Sequence, residues 1–203
     1  MSGSLFIVAA PSGAGKTSLV NALVAQQADI ALSISHTTRA ARAGEVDGKD
    51  YFFVTQQQFI AMQGEGAFLE SATVFDHSYG TSSDSVFDQL KAGTDVILEI
   101  DWQGAEQVRR NYPDSASVFI LPPSKSALEQ RLRGRGQDDD SVIARRMRDA
   151  ENEISHYIEF DYLIVNDDFD VALSELVSII SARRHSMAIQ KALQEPLLKT
   201  LLA

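Results

Sequence analysis

Residues 8–18 read VAAPSGAGKTS, with Gly13, Gly15, Lys16 and Thr17 at the spacing of a loop that wraps a polyphosphate. Such a loop aims backbone N–H groups at phosphate oxygens and backs them with a helix N-terminus. A lysine reaches the β- and γ-phosphates, and a hydroxyl sits on Mg²⁺. Gly13 and Gly15 supply the permissive backbone, Lys16 the cation and Thr17 the hydroxyl. Ala10 stands where the pattern has its first glycine. It adds one methyl, which is excluded only where φ must be positive. The spacing therefore predicts a working phosphate loop made of Ala10, Pro11, Ser12, Gly13, Ala14, Gly15, Lys16 and Thr17.

A second set of chemically capable residues follows downstream. In VILEID (96–101), Glu99 and Asp101 alternate with Ile100 and so project to one side of a strand. Beside Lys16 and Thr17, two acids at a strand end read as a site near Mg²⁺ or substrate, with Glu99 or Asp101 reaching the ion through water. Of the twelve arginines, six (Arg131, Arg133, Arg135, Arg145, Arg146 and Arg148) fall within residues 131–148, and two more are Arg39 and Arg42. In a chain of net charge −10 such clusters point to small polyanionic ligands. The acidic balance argues against nucleic-acid or membrane-surface partners. The four histidines, His36, His77, His156 and His185, show no metal-ligand spacing.

These residues need a rigid frame, and the chain supplies one. LFIVAA (5–10), DVILEI (95–100), SVFILP (117–122) and DYLIVN (161–166) are short unbroken apolar runs of the buried parallel-strand kind. Helical patterns follow the runs: TSLVNALVAQ with Leu19, Val20, Leu23 and Val24 on one face, DWQGAEQVRRN, SKSALEQRLRG and FDVALSELVSIISARR. Alternation of this kind implies an α/β core, a parallel sheet covered by helices on both faces. Residues 35–81 break the rhythm, with polar and aromatic segments too closely spaced for crossovers, and predict an inserted mixed or antiparallel lobe. The core then comprises residues 1–34 and 82–203. RGRGQDDDS (133–141) reads as a flap, with DDD at the start of the helix SVIARRMRDAENEI.

The 203 residues suit one globular unit, and the absence of cysteine excludes disulfides, zinc-thiolate sites and thiol nucleophiles. The opening residues lack the basic start and long apolar stretch of a signal peptide, and no apolar run approaches the ~20 residues of a membrane span. A cytoplasmic protein is expected. The tail QKALQEPLLKTLLA is compatible with a monomer or a homo-oligomer.

APSGAGKT, SHTTRAARAGEVDGKDYFF, FLE (68–70), YGTS (79–82), LEIDWQG, RLRGRG and IVNDD follow one another in an order and spacing that resembles bacterial guanylate kinase, over essentially the whole chain. That resemblance implies a P-loop kinase moving the γ-phosphoryl group of MgATP to GMP, with ATP and GMP as small-molecule partners. It implies that the inserted lobe holds GMP and that the flap, about residues 133–149, is a lid. By similarity Arg39, Arg42, Tyr51 and Tyr79 grip the GMP phosphate. Ser35, Glu70 and Thr81, with Gly80 beside them, read guanine, and Asp101 lies near GMP. Arg135 and Arg146 match catalytic arginines, joined by Lys16 and Arg42, with Arg131 as a helper. Asn166 and Asp167 match the adenine side. Thr81 stands where some relatives have serine, and Glu99 where many have aspartate.

Two other readings are open. A non-catalytic interaction module of the same fold is disfavoured by the intact loop and the lid arginines. A kinase acting on ribose bisphosphate is disfavoured by Glu70 with the hydroxyls of Ser35 and Thr81, since a sugar phosphate has no guanine edge.

Overall fold

A computed structural model describes residues 3–74, 76–134 and 140–203. Five strands form one parallel sheet: β1 (Leu5–Ala9), β2 (Ile30–Leu32), β7 (Asp95–Glu99), β8 (Ala116–Leu121) and β9 (Tyr162–Val165). Their order is β2-β7-β1-β8-β9. All five residues of β1 are buried, as a central strand covered on both faces requires. Its alternate side chains feed two cores. Phe6 and Val8 pack with Leu19 and Leu23 of α1 (Lys16–Gln26) and with Leu176 and Ile180 of α7 (Phe169–Arg184). Leu5 and Ile7 pack with Val86 and Leu90 of α3 (Ser83–Lys91) and with Ala105 and Val108 of α4 (Trp102–Asn111). The period of two along the strand thus sends side chains alternately to the two faces.

A second sheet, of order β4-β3-β6-β5, is built from β3 (His36–Thr37), β4 (Phe52–Phe53), β5 (Phe68–Val74) and β6 (His77–Ser82). It is mixed: β3 runs parallel to β4 but antiparallel to β6, and β5 and β6 form an antiparallel pair. A helix not anticipated from sequence, α2 (Gln56–Gly64), precedes β5 and is started by a capping box in which Thr55 and Gln58 satisfy each other's backbone N–H. α5 (Lys125–Gly134) and α6 (Asp140–Ser155) flank the flap, and a short 3₁₀ turn spans His156–Glu159. α8 (Met187–Leu193) and α9 (Glu195–Leu201) follow α7. No helix among the described residues is long and apolar enough to cross a membrane.

One strand differs from its expected burial. β9 is an edge strand, and of its apolar residues only Ile164 is buried, while Tyr162, Leu163 and Val165 stay exposed. An apolar run can only be buried on faces that neighbours cover, and an edge position leaves part of it open.

Candidate active site

β1 ends at Ala9, and the chain turns through residues 10–15 into α1 at the carboxyl edge of the parallel sheet, where strand order reverses between β7 and β8. This is the usual ligand position in an open α/β sheet. Gly13 and Gly15 have φ of 95° and 93°, in the left-handed region, so both need glycine there. Ala10 is not among the positive-φ residues, and its methyl is accommodated.

The loop is braced from behind. Asn166 Nδ2 donates to the Ala14 carbonyl at 2.7 Å, and Arg131 donates to the same carbonyl at 3.3 Å and to the Asn166 carbonyl at 2.9 Å. A β-carbon on Gly15 would collide with Asn166 Nδ2. Asn166 and Arg131 therefore sit behind the loop and do not line the cleft in front of it; Asp167 is exposed just past β9.

In front of the loop lies a cleft of about 290 Å³. Lys16 Nζ donates to the Ile100 carbonyl at 3.1 Å and lies 3.9 Å from Glu99 Oε1, while the Thr17 hydroxyl donates to Glu99. Lysine, hydroxyl and carboxylate thus converge at the end of β7. Thr17 and Glu99 form a hard-oxygen set of the kind Mg²⁺ takes alongside substrate phosphates and water. No cluster of three or more histidine, aspartate or glutamate ligands for a metal occurs among the described residues.

Across the cleft the second sheet presents Glu70 from β5 and Tyr79 from β6, and the segments beside β3 and β4 add Ser35, Arg42 and Tyr51. The Tyr51 and Tyr79 rings meet edge-on at 6.0 Å, and burial pushes the Tyr51 phenol upward. Arg39, expected beside Arg42, is turned aside. Its guanidinium forks onto Glu45 at 3.0 and 2.8 Å, and it is not part of the cleft wall. Glu45 also accepts from the Arg42 N–H at 2.7 Å, and the Arg39 hydrogen bonds hold its carboxyl below the usual range.

Glu70 is 4% exposed. Burial pushes its carboxyl up to about 7, opposed by the Thr81 hydroxyl, which donates to it at 2.6 Å, and reinforced by the nearby charge of Asp101. Thr81 is fully buried and spends its proton on Glu70, so it is not placed as a group facing the cleft. Gly80 is buried too, against Phe68 and Phe59. Asp101 caps α4, its Oδ1 accepting from the Gly104 N–H at 2.8 Å. Its Oδ2 is buried with no hydrogen-bond partner among the described residues, and burial raises its pKa.

Arg146, on α6, lines the same cleft; Arg135 lies outside the described residues. Glu153, two helical turns beyond Arg146, was not apparent from spacing alone, although residues seven apart on a helix share a face. Its carboxylate accepts from the Ser12 N–H at 3.1 Å, and its pKa is pushed up to about 7, chiefly by burial. The histidines sit elsewhere: His36 stacks on Phe52, His156 on Trp102, and His185 bonds the Ser181 carbonyl.

A loop fitted to a nucleoside triphosphate faces, within one chain, a second wall of cationic, phenolic and buried acidic groups. Such a molecule is built to bring two nucleotides together, which defines a P-loop nucleoside monophosphate kinase. The family model described as guanylate kinase matches residues 2–183. A guanylate kinase of Nitrosococcus oceani is 62% identical over 100% of this chain and 98% of its own. One from Legionella pneumophila (strain Lens) is 56% identical over 100% of this chain and 97% of its own. The crystal structure of guanylate kinase from Anaplasma phagocytophilum superimposes with a TM-score of 0.78 at 32% identity, covering 95% of this chain and 94% of that one. The chain belongs to the guanylate kinase family.

Proposed function

We propose that this protein transfers the γ-phosphoryl group of ATP to GMP, giving ADP and GDP, in the cytoplasm. The observation that carries the reading is the pairing, across one cleft, of the phosphate loop with two carboxylates, the buried Glu70 and the half-buried Asp101, whose buried Oδ2 has no hydrogen-bond partner among the described residues. A buried acid without a partner is costly unless a ligand donor satisfies it. Guanine brings two adjacent donors, N1–H and the 2-amino group, and adenine does not.

The nucleophile is a GMP phosphate oxygen, already anionic, so the protein need supply no base. Its work is to position two polyanions and neutralise them. Lys16 would meet the β- and γ-phosphates from the end of β7, held there by the Ile100 carbonyl. Mg²⁺ would be held by Thr17, with Glu99 behind it. When bound, the ion screens the phosphate oxygens and polarises the transferring group. Arg42, Tyr51 and Tyr79 would grip the GMP phosphate, and Arg39 joins them by exchanging Glu45 for substrate. Arg146, together with Arg135, would approach from the lid side, where cations stabilise charge moving onto the bridging oxygen. Closure over both substrates excludes water and suppresses ATP hydrolysis.

The test is ADP release from ATP with GMP, AMP, CMP, UMP, dGMP or ribose 1,5-bisphosphate as acceptor. Preferential turnover of GMP is expected. Stimulation by ribose bisphosphate alone would sink the assignment, and no stimulation by any acceptor would leave an interaction module.

A further inference from the structure

Glu153 is an acid in an unexpected place. A loop whose N–H groups are organised to receive anions accepts a protein carboxylate at its Ser12 N–H, 3.1 Å away, across 141 residues of sequence. The groups around that carboxylate are Lys16 of α1, Asp101 at the start of α4 and Asp149 one turn back on α6. Lys16 favours the charged form, whereas burial and the two aspartates oppose it. A negative group beside incoming phosphates costs repulsion, so its presence calls for a compensating use.

That use follows from where Glu153 sits on its helix. Arg146 lies seven residues earlier in α6, and seven residues are two turns, so both side chains leave the same face. Both line the cleft in front of the loop. Just past Glu153, the 3₁₀ turn that directly follows α6 holds the base of the helix a second time, where its first residue, His156, stacks on Trp102 with centroids 3.6 Å apart and planes 7° from parallel. Trp102 opens α4 directly after Asp101. The base of α6 is thus tied to the phosphate loop on one side and to the α4 N-terminus on the other, and the arginine rides two turns above the tie.

We infer that Glu153 is a positioning residue for phosphoryl transfer: by bonding the Ser12 N–H it fixes the base of α6 against the phosphate loop and so sets where Arg146 meets the phosphates. The inference rests on the guanylate kinase reading given above. Both the neutral and the charged carboxyl keep an acceptor oxygen, so the tie survives a pKa of about 7. A glutamine at 153 would keep it as well; an alanine would not.

The experiment is a double-mutant cycle with Glu153→Ala, Glu153→Gln, Arg146→Ala and the Glu153→Ala/Arg146→Ala pair. Steady-state assays with ATP and GMP are joined to amide hydrogen exchange at Ser12 in each free protein. Glu153→Ala should lower kcat about tenfold or more, with KM for GMP changed less than about threefold, because positioning acts in the transition state. Glu153→Gln should stay within about threefold of wild type. The double variant should fall no more than about threefold below Arg146→Ala alone, since the glutamate acts through the arginine. Ser12 exchange should quicken in the alanine variant and not in the glutamine variant.

Additive losses in the cycle, or an alanine variant with unchanged kcat, would overturn the proposal. So would unchanged Ser12 exchange, which reads the tie without reference to turnover. Wild-type protein that fails to phosphorylate GMP would refute the functional reading instead, and the exchange data would still judge the tie. An alanine variant that loses its fold is replaced in the cycle by Glu153→Leu, which keeps bulk and removes the acceptor.

Discussion

Glu70 Oε2 occupies space that a β-carbon on Gly104 would need. The glycine lies inside helix α4, where alanine is normally favoured by about 1 kcal/mol, yet the buried carboxylate leaves no room for the methyl. Helix propensity and site geometry oppose one another here, and the overlap is severe enough for geometry to win. Gly104→Ala should displace Glu70, lower stability by roughly 1–3 kcal/mol and raise KM for GMP about tenfold or more. Denaturant melts and steady-state kinetics check both. A variant more stable than wild type with unchanged GMP kinetics would show that the carboxylate moves aside freely.

The glycine that opens α1 gives a second prediction. Gly15 combines a φ of 93° with a β-carbon position blocked by Asn166 Nδ2, which is itself bonded to the Ala14 carbonyl at 2.7 Å. Gly15→Ala should abolish ATP binding through both strain and collision. Asn166→Ala, which removes only the brace, should weaken ATP binding by about 5- to 30-fold, corresponding to about 1–2 kcal/mol for a lost buried hydrogen bond. Titration with a fluorescent ATP analogue would separate the two; equal losses would place Asn166 in direct contact with nucleotide.

Much of this arrangement could be read from the chain, and the remainder resisted for definable reasons. LFIVAA and FDVALSELVSIISARR announced a central strand and a docked helix because their neighbours cover them as their periodicity demands. α2 was missed because only Phe59 of QQQFIAMQG is buried, leaving no apolar stripe; its usable signal was Thr55 and Gln58 at capping-box spacing. In the site, residue types were legible but orientations were not. Thr81 could as well have faced a base as turned to Glu70, and Arg39 could as well have faced a phosphate as Glu45. Those choices depend on which buried acid needs a donor, which only the packed structure decides. The bracing role of Asn166 and Arg131 is likewise tertiary, since 35 residues separate them.

Lys16→Met should reduce phosphoryl transfer by at least about a thousandfold, because it removes the cation proposed to face developing charge. The ammonium is partly exposed at the cleft and bonded to one carbonyl at 3.1 Å, so melting should shift by only a few degrees. Single-turnover rates and thermal melts measure the two effects; turnover within about threefold of wild type would remove the loop from the chemistry.

Glu70 makes stability and recognition respond to pH in opposite directions. Its carboxyl titrates near 4.5 when unfolded and at about 7 when folded, so between those values the native state holds the extra proton. Stability therefore falls as pH rises through that window, by up to roughly 3 kcal/mol for this group. Glu70→Gln keeps an acceptor for the Thr81 hydroxyl and cannot ionise, so between pH 5 and pH 8 its stability should gain on wild type by roughly 2–3 kcal/mol. Urea melts at the two pH values supply the comparison. A parallel pH dependence of the two proteins would mean that Glu70 is already ionised at pH 5.

The same substitution tests the choice of base. The Glu70 carboxylate can accept from guanine N1–H and the 2-amino group together, whereas a glutamine amide sets one donor against another donor. The phosphate contacts proposed for Arg42, Tyr51 and Tyr79 would be untouched, so the loss should appear in kcat/KM for GMP and hardly at all in ATP affinity. A mismatched buried polar contact costs on the order of 2–4 kcal/mol, or roughly 30- to 1000-fold. AMP should gain relative to GMP, since adenine N1 is an acceptor that the amide can satisfy and the carboxylate repels. Ionisation sharpens the test. With the carboxyl at about 7, the wild-type advantage over Glu70→Gln should grow as pH rises from 6 to 8, and the titration of GMP itself cancels in that ratio. An unaltered GMP-to-AMP preference in Glu70→Gln would remove Glu70 from base recognition and shift that task to Asp101, whose buried Oδ2, at the start of α4, has no hydrogen-bond partner among the described residues.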